Sequence, residues 1–289
     1  MPVVSRARVL ATLLGAALVA GCASTSEPAD PPEGPPRKET VLAVTDRAEL
    51  IRFNAGQPGR VLDRKPLVGL PASERLVGID FRVARGVLHA LSASGQLYTL
   101  DPATARLTPV GSGAALALGS AAVGFDFNPA ADRIRVVTAD GRNWRLHPDT
   151  GALVAADGAL RYADGDVAAG RAPALAGAGY TYNKRDDKLT TNFAVDIGRG
   201  TLVRQGSVEG ATPVVSPNTG VLWTVGALGT GAVDDAAFDI ADVNNAALAA
   251  LRRGGVTRLH AVDLATGRAT PIGRVGNGQQ ALWGLAIEP

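Results

Sequence analysis

The sequence predicts an all-β fold: a β-propeller of about five four-stranded blades, closed where the C-terminal strand joins the N-terminal blade. Three observations carry this expectation. A unit recurs at a constant offset of 46 residues, each unit breaks into short strands separated by tight-turn residues, and the two chain ends read as parts of one blade.

The repeat is plainest between GIDFRVARGVLHALSASGQLYTLDPATARL (78–107) and GFDFNPAADRIRVVTADGRNWRLHPDTGAL (124–153). Val77, Gly78, Asp80 and Phe81 match Val123, Gly124, Asp126 and Phe127, and Gly95, Leu100, Pro102, Thr104 and Leu107 have counterparts as well, with no gap. Each unit reads as strands a to d: VGIDF or VGFDF, then VLHALS or RIRVVT, then QLYTLD or NWRLH, then RLTPVG or ALVAA. Ser94-Gly95 and Asp140-Gly141 supply the positive φ that a tight hairpin demands. In DPAT and HPDTG a proline presets φ for a turn, and the following residues can bond back to the backbone. Short strands with turn signals every 8–12 residues indicate an all-β chain.

A third copy, LHAVDLATGRATPIG (259–273), matches 97–111 at an offset of 162, with FDI (238–240) as its strand a. A divergent fourth unit covers about 177–228. At the N-terminus, VLAVTDRAELIRFNAG (41–56) reads as strands b and c of a unit without strand a, and the closing LWGLAIEP (282–289) aligns with VGFDFNP and supplies it. One stretch conflicts locally. DVNNAALAALRRGG (242–255) carries helix signals, but the register places strand b there, and the strand is preferred.

The N-terminus reads as a targeting segment. Arg6 and Arg8 precede an apolar run, Val9 to Ala20, that is too short to span a bilayer. Val19-Ala20-Gly21-Cys22 resembles a bacterial lipobox, so residues 1–21 are expected to be a lipoprotein signal peptide and Cys22 the acylated residue. Residues 22–40, with prolines at 28, 31, 32, 35 and 36, read as a stiff tether, and 41–289 as the propeller domain. Ala23 is not the aspartate that retains lipoproteins at the inner membrane, which favours the outer membrane, facing the periplasm. Cys22 is the only cysteine, so intramolecular disulfides and cysteine-rich metal sites are excluded. Residues 1–21 hold two arginines and no acids, so the formal charge of +2 falls to zero on their removal. A neutral domain has no electrostatic reason to hold nucleic acid.

GFDFNPAADRIRVVTADGRNWRLHPDTGAL, LRYADGDVAAGRAPALAGAGYTYN and LHAVDLATGRATPIG, in that order, resemble the bacterial secreted proteins grouped as domain of unknown function 4394. The resemblance spans about 41–289 and departs at Ala168 and around Lys184–Lys188. It implies fold and secretion, and no activity.

Chemistry is sparsely signalled. There is no G-x-S-x-G elbow, no H-E-x-x-H and no phosphate loop. His89, His147 and His260 fall at different strand positions, as core or surface histidines do. Asp80 and Asp126 are equivalent, and Asp239 is their counterpart on a third innermost strand. These acids can ring a channel mouth and hold an oxygen-liganded cation such as Ca²⁺, or accept backbone hydrogen bonds that tie blades together. Asn143, Arg145 and His147 alternate along strand c and so share one face, a candidate site for a sugar or carboxylate. Asp164 and Asp166 in the Gly-rich YADGDVAAG can coordinate a cation, but their spacing is not that of an EF-hand loop and an ordinary turn is preferred. The leading functional expectation is a membrane-tethered binding module for a protein or envelope polymer. The alternatives are a hydrolase or lyase with a metal at the channel mouth, and a small-ligand binding protein.

Overall fold

The structure, a computed structural model, describes residue 1 and residues 30–114, 116, 118 and 122–289. The expected signal segment apart from its first residue, Cys22 and the tether up to residue 29 lie outside the described residues.

Five sheets form the blades, antiparallel apart from one short strand added to blade 4. Blade 1 contributes β1 (Thr40–Thr45), β2 (Glu49–Asn54) and β3 (Val61–Pro66). Blade 2 is β4 (Leu76–Arg82), β5 (Val87–Ser92), β6 (Leu97–Asp101) and β7 (Arg106–Val110). Blade 3 is β8 (Val123–Asn128), β9 (Arg133–Thr138), β10 (Asn143–Leu146) and β11 (Leu153–Ala156). In blade 4 a two-residue strand, β12 (Arg161–Tyr162), precedes β13 (Leu175–Tyr180), β14 (Asn192–Asp196), β15 (Thr201–Gln205) and β16 (Val221–Ala227). Blade 5 is β17 (Asp235–Ile240), β18 (Ala247–Arg253), β19 (Val256–Val262) and β20 (Ala269–Arg274). The last strand, β21 (Leu282–Ile287), pairs with β1, so blade 1 has the order β21-β1-β2-β3.

The ring therefore closes as the complementary chain ends require. Blade 4 departs from four strands, because β12 adds in parallel outside β16. The helix signals of 242–255 do not prevail. Ala247, Leu248, Ala249 and Ala250 are all buried, alternating between the apolar clusters on the two sides of blade 5. A strand inside a sandwich of blades buries both faces, which a short amphipathic helix would not.

The core lies between blades. Five apolar clusters each join two neighbouring sheets, and the innermost strands β4, β8, β13, β17 and β21 contact one another around the axis. The repeated glycine of strand a has its cause here. A Cβ on Gly78 would lie 2.4 Å from the Phe125 Cβ, and one on Gly124 would lie 2.8 Å from the Gly177 carbonyl carbon. No side chain fits where five strands converge this closely.

The seam between blades 3 and 4 has the smallest apolar cluster and a polar network beside it. Arg135, 2% exposed, donates to Tyr180 Oη at 3.2 Å, Asn143 Oδ1 at 2.8 Å, Asp157 Oδ2 at 2.6 Å and Asn218 Oδ1 at 2.6 Å. A buried guanidinium is tolerable because its donors are met in a fixed fork.

Candidate functional site

Two arrangements lie on the axis, one near each end of the innermost strands. The first is made by Asp80, Asp126 and Asp239, which the strand-a repeat carries to the centre. One carboxylate oxygen of each lies within 4.8 Å of the others, and all three residues are buried. Such a trio can hold a metal ion. Its oxygens have other partners in this structure, each bond tying an innermost strand to the next blade or back to itself.

Asp80 Oδ2 accepts from Phe127 N at 2.8 Å, Asp126 Oδ2 from Tyr180 N at 2.8 Å, and Asp239 Oδ2 from Ile287 N at 2.6 Å. The residue before each bonded amide occupies the aspartate position of its own blade: Asp126, Gly179 and Ala286. Two of the five blades thus carry no acid there, and the amides they would have held are Ile240 N and Phe81 N. Those two are accepted instead by Asp239 Oδ1 at 2.6 Å and Asp80 Oδ1 at 2.7 Å, on their own strands. Three carboxyl groups satisfy the equivalent amide in all five innermost strands. Only Asp126 Oδ1 is left without a backbone donor in this scheme.

Burial without counter-charge sets their protonation. Burial, then the Asp239 charge, pushes Asp80 well above the ordinary carboxylate range, and burial, then Asp80, does the same to Asp126. Asp239 is pushed up to about 7 by burial, with the nearby Asp242 adding to it, and Asp242 itself rises to about 6 on burial. Asp242, just past β17, is the fourth acid of this end, and nothing in the repeat marks it.

The second arrangement is a funnel of about 510 Å³ around the starts of the innermost strands. Its walls come from the first residues of β4, β8, β17 and β21, with Ala139 and Ile197 from the turns after β9 and β14, so every blade contributes. Its polar groups are Arg75, Asp234, Asp235 and Trp283. The Arg75 guanidinium lies 5.1 Å from the Trp283 ring centroid, a cation–π contact. Asp235 accepts its neighbour's amide, Ala236 N, at 2.9 Å, and burial raises its carboxyl despite Arg75 and Arg252 nearby. The repeat offered one signal for this funnel. Trp283 stands where the other units carry Val77 and Val123, an aromatic at a channel-lining position.

Asn143, Arg145 and His147 are found on the flank of blade 3. Asn143 is buried, donating to Gly158 O at 3.1 Å and Pro217 O at 3.3 Å while accepting from Arg135. Arg145 donates to both oxygens of Asp157, at 2.8 and 2.9 Å, so these two residues meet through the Arg135 network. His147 lies one residue beyond β10, and its Nδ1 accepts from Asp149 N at 3.2 Å. The three histidines do not converge: His89 and His260 are buried in blades 2 and 5, each with Nδ1 against a carbonyl two residues back. Asp166 is a turn residue, accepting from Ala168 N and from Thr224 N and Oγ1 on β16. No helix among the described residues is long and apolar enough to cross a membrane.

The blades and their axial site define a five-bladed β-propeller. Residues 49–286 match the family described as "Domain of unknown function (DUF4394)", and the chain belongs to that family. No curated protein matches it. Among solved structures, it is similar to one titled "Structure of Dos1 propeller", with 10% identity and a TM-score of 0.41, over 80% of this chain. The match spans 57% of that chain's length.

Proposed function

We propose that the protein is a binding module: a propeller anchored through a lipid on Cys22 at the periplasmic face of the outer membrane, taking a protein or envelope polymer at its funnel. The single observation that carries the binding reading is the funnel itself. It is concave, drawn from all five blades, and lined by apolar and polar surface in nearly equal share, with charged and aromatic groups converging on it. An aromatic face beside a cation and two carboxyl groups suits a ligand with an apolar or sugar face and hydroxyl or amine donors. The lipobox around Cys22 supports the anchor.

The same funnel supports a second reading, a small-ligand binding protein. A hydrolase or lyase acting through a metal at Asp80, Asp126 and Asp239 has less support, because five of their six oxygens already hold backbone amides.

The test places a photo-crosslinking amino acid at position 234, on the funnel rim, or at position 62, on the exposed outer strand of blade 1. Irradiation of intact envelopes is expected to give a discrete adduct from 234 alone, lost in a Cys22→Ala chain. Matching adduct patterns from the two positions would overturn the assignment of the funnel. Adduct from neither, with a thermal shift on adding saccharides that Trp283→Ala removes, would decide for the small ligand.

A further inference from the structure

The funnel holds a carboxyl group that the fold leaves half used. Asp235 is the first residue of β17, and period-two geometry puts its side chain on the sheet face from which Asp239 reaches β21. Its Oδ1 accepts Ala236 N at 2.9 Å, the one hydrogen bond its carboxyl group makes among the described residues. Three charged groups face it: Arg75, Arg252 and Asp234. Neither arginine forms an ion pair with it. Arg252, its partner across the ladder, donates to Thr257 Oγ1 at 3.1 Å and to Gln279 O at 3.2 Å, and Arg75 lies over the Trp283 ring. Burial therefore outweighs both cations and raises the Asp235 carboxyl. A desolvated carboxyl group with an oxygen to spare is completed by a charged donor from outside.

The other walls bear on what carries that donor. One guanidinium stands against two carboxyls, so the charge of the funnel favours a cation. Val77, Val123, Ile197 and Leu282 give it aliphatic walls, along which a methylene stem can lie while its charged head reaches a polar partner. A sugar would need an open aromatic face. Trp283 packs on the apolar cluster between blades 1 and 2 and carries Arg75 over its ring, so that ring is already engaged. With one Asp235 oxygen to spare, the point charge of an ammonium fits better than a guanidinium, whose fork is matched by two parallel acceptors.

We propose that the funnel takes an exposed lysine side chain of a partner protein, with the ammonium at Asp235, Asp234 flanking it at the rim, and the stem along Val77, Val123, Ile197 and Leu282. This rests on the reading of the funnel as the binding surface, and adds to it the chemistry that the surface selects.

The test is a titration of the mature chain followed by NMR through the indole proton of Trp283, one of three tryptophans, assigned with Trp283→Phe. The probes are the Nα-acetyl N-methylamides of lysine, Nε-acetyl-lysine and arginine, with glucosamine as an amine borne on a sugar. The lysine probe is expected to saturate the shift, with the other three weaker by about tenfold or more, and Asp235→Asn is expected to weaken the lysine probe by a similar factor. The asparagine oxygen still accepts Ala236 N, and unmoved Trp144 and Trp223 signals report that the variant is folded. Equal binding of the Nε-acetyl-lysine probe, or binding that survives Asp235→Asn, overturns the ammonium contact and leaves the funnel a binding surface. Tighter binding of glucosamine or of the arginine probe overturns the choice of lysine. A shift with none of the probes overturns the inference outright, and crosslinking from position 234 then reads by itself whether the funnel takes a partner at all.

Discussion

The Asp80 carboxyl group on β4 accepts the Phe127 amide of β8 at 2.8 Å, across the seam between blades 2 and 3. Its other oxygen holds the Phe81 amide on its own strand. Two innermost strands thus depend on one side chain, at the centre of a ring whose strands have no further sheet partner on that edge. An unpaired amide there would be buried without water, and each such group costs about 1–3 kcal/mol.

Asp80→Ala is therefore expected to destabilise the domain by about 2–6 kcal/mol, because it orphans two amides. Urea unfolding of the mature chain measures this. A loss under 1 kcal/mol, with the denaturant slope unchanged, would show that the axial bonds do not hold the blades.

Asp239 makes stability depend on pH. Its folded value of about 7 lies above the ordinary 3.8, so the folded chain retains a proton that the unfolded chain has released. Its contribution is full below pH 4, falls as pH rises from about 4 to 7, and is level above that. Asp239→Asn cannot ionise. Relative to the wild type, its Tm should rise across this window, even though it starts lower for want of one acceptor. Parallel Tm curves for the two chains from pH 4 to 8 would refute this.

Asp126 separates a proton from a metal at the same centre. It holds one backbone amide, Tyr180 N, which an asparagine oxygen can still accept. If the axial acids are blade ties kept neutral by burial, Ca²⁺ and chelator leave the wild-type Tm alike at pH 6, and Asp126→Asn costs less than Asp80→Ala. A Ca²⁺-dependent rise in Tm, abolished by Asp126→Asn, would establish a cation site and revive metal chemistry there.

Arg135 is expected to be the most sensitive charged residue of the seam between blades 3 and 4. Arg135→Met keeps most of the side-chain volume but leaves the Asp157 carboxylate to Arg145 alone and strands the oxygens of Asn143 and Asn218. Each buried acceptor left without its donor costs about 1–3 kcal/mol, so the two amide oxygens predict a loss of about 2–6 kcal/mol. Chemical denaturation checks the value, and a loss under 1 kcal/mol would show that the Arg135 network does not hold the seam.

Much of this architecture was legible because a repeat writes its geometry into spacing. The 46-residue offset aligned Asp80 with Asp126, and FDI placed Asp239 beside them, so the convergence of three acids on the axis could be read before any contact was known. The strand over Ala247–Arg253 followed from register against local helix signals. Asn143, Arg145 and His147 show the limit of such reading. Alternation puts side chains on one face, but says nothing of what packs there, and Asn143 is buried under Gly158 and Pro217.

By itself, the sequence determined the strands, their repeat and the closure of the ring, because period-two burial and turn residues are local and each blade repeats the last. Only the tertiary structure decided that three carboxyls serve five amides, that the funnel joins Arg75 to Trp283, and that Asp30 crosses to Arg258 and Arg274. Those pairings join residues far apart in the chain, through seams whose shape exists only once all five blades are packed. A carboxyl's protonation follows the same rule, for burial and neighbouring charge belong to the assembled ring and not to any one strand.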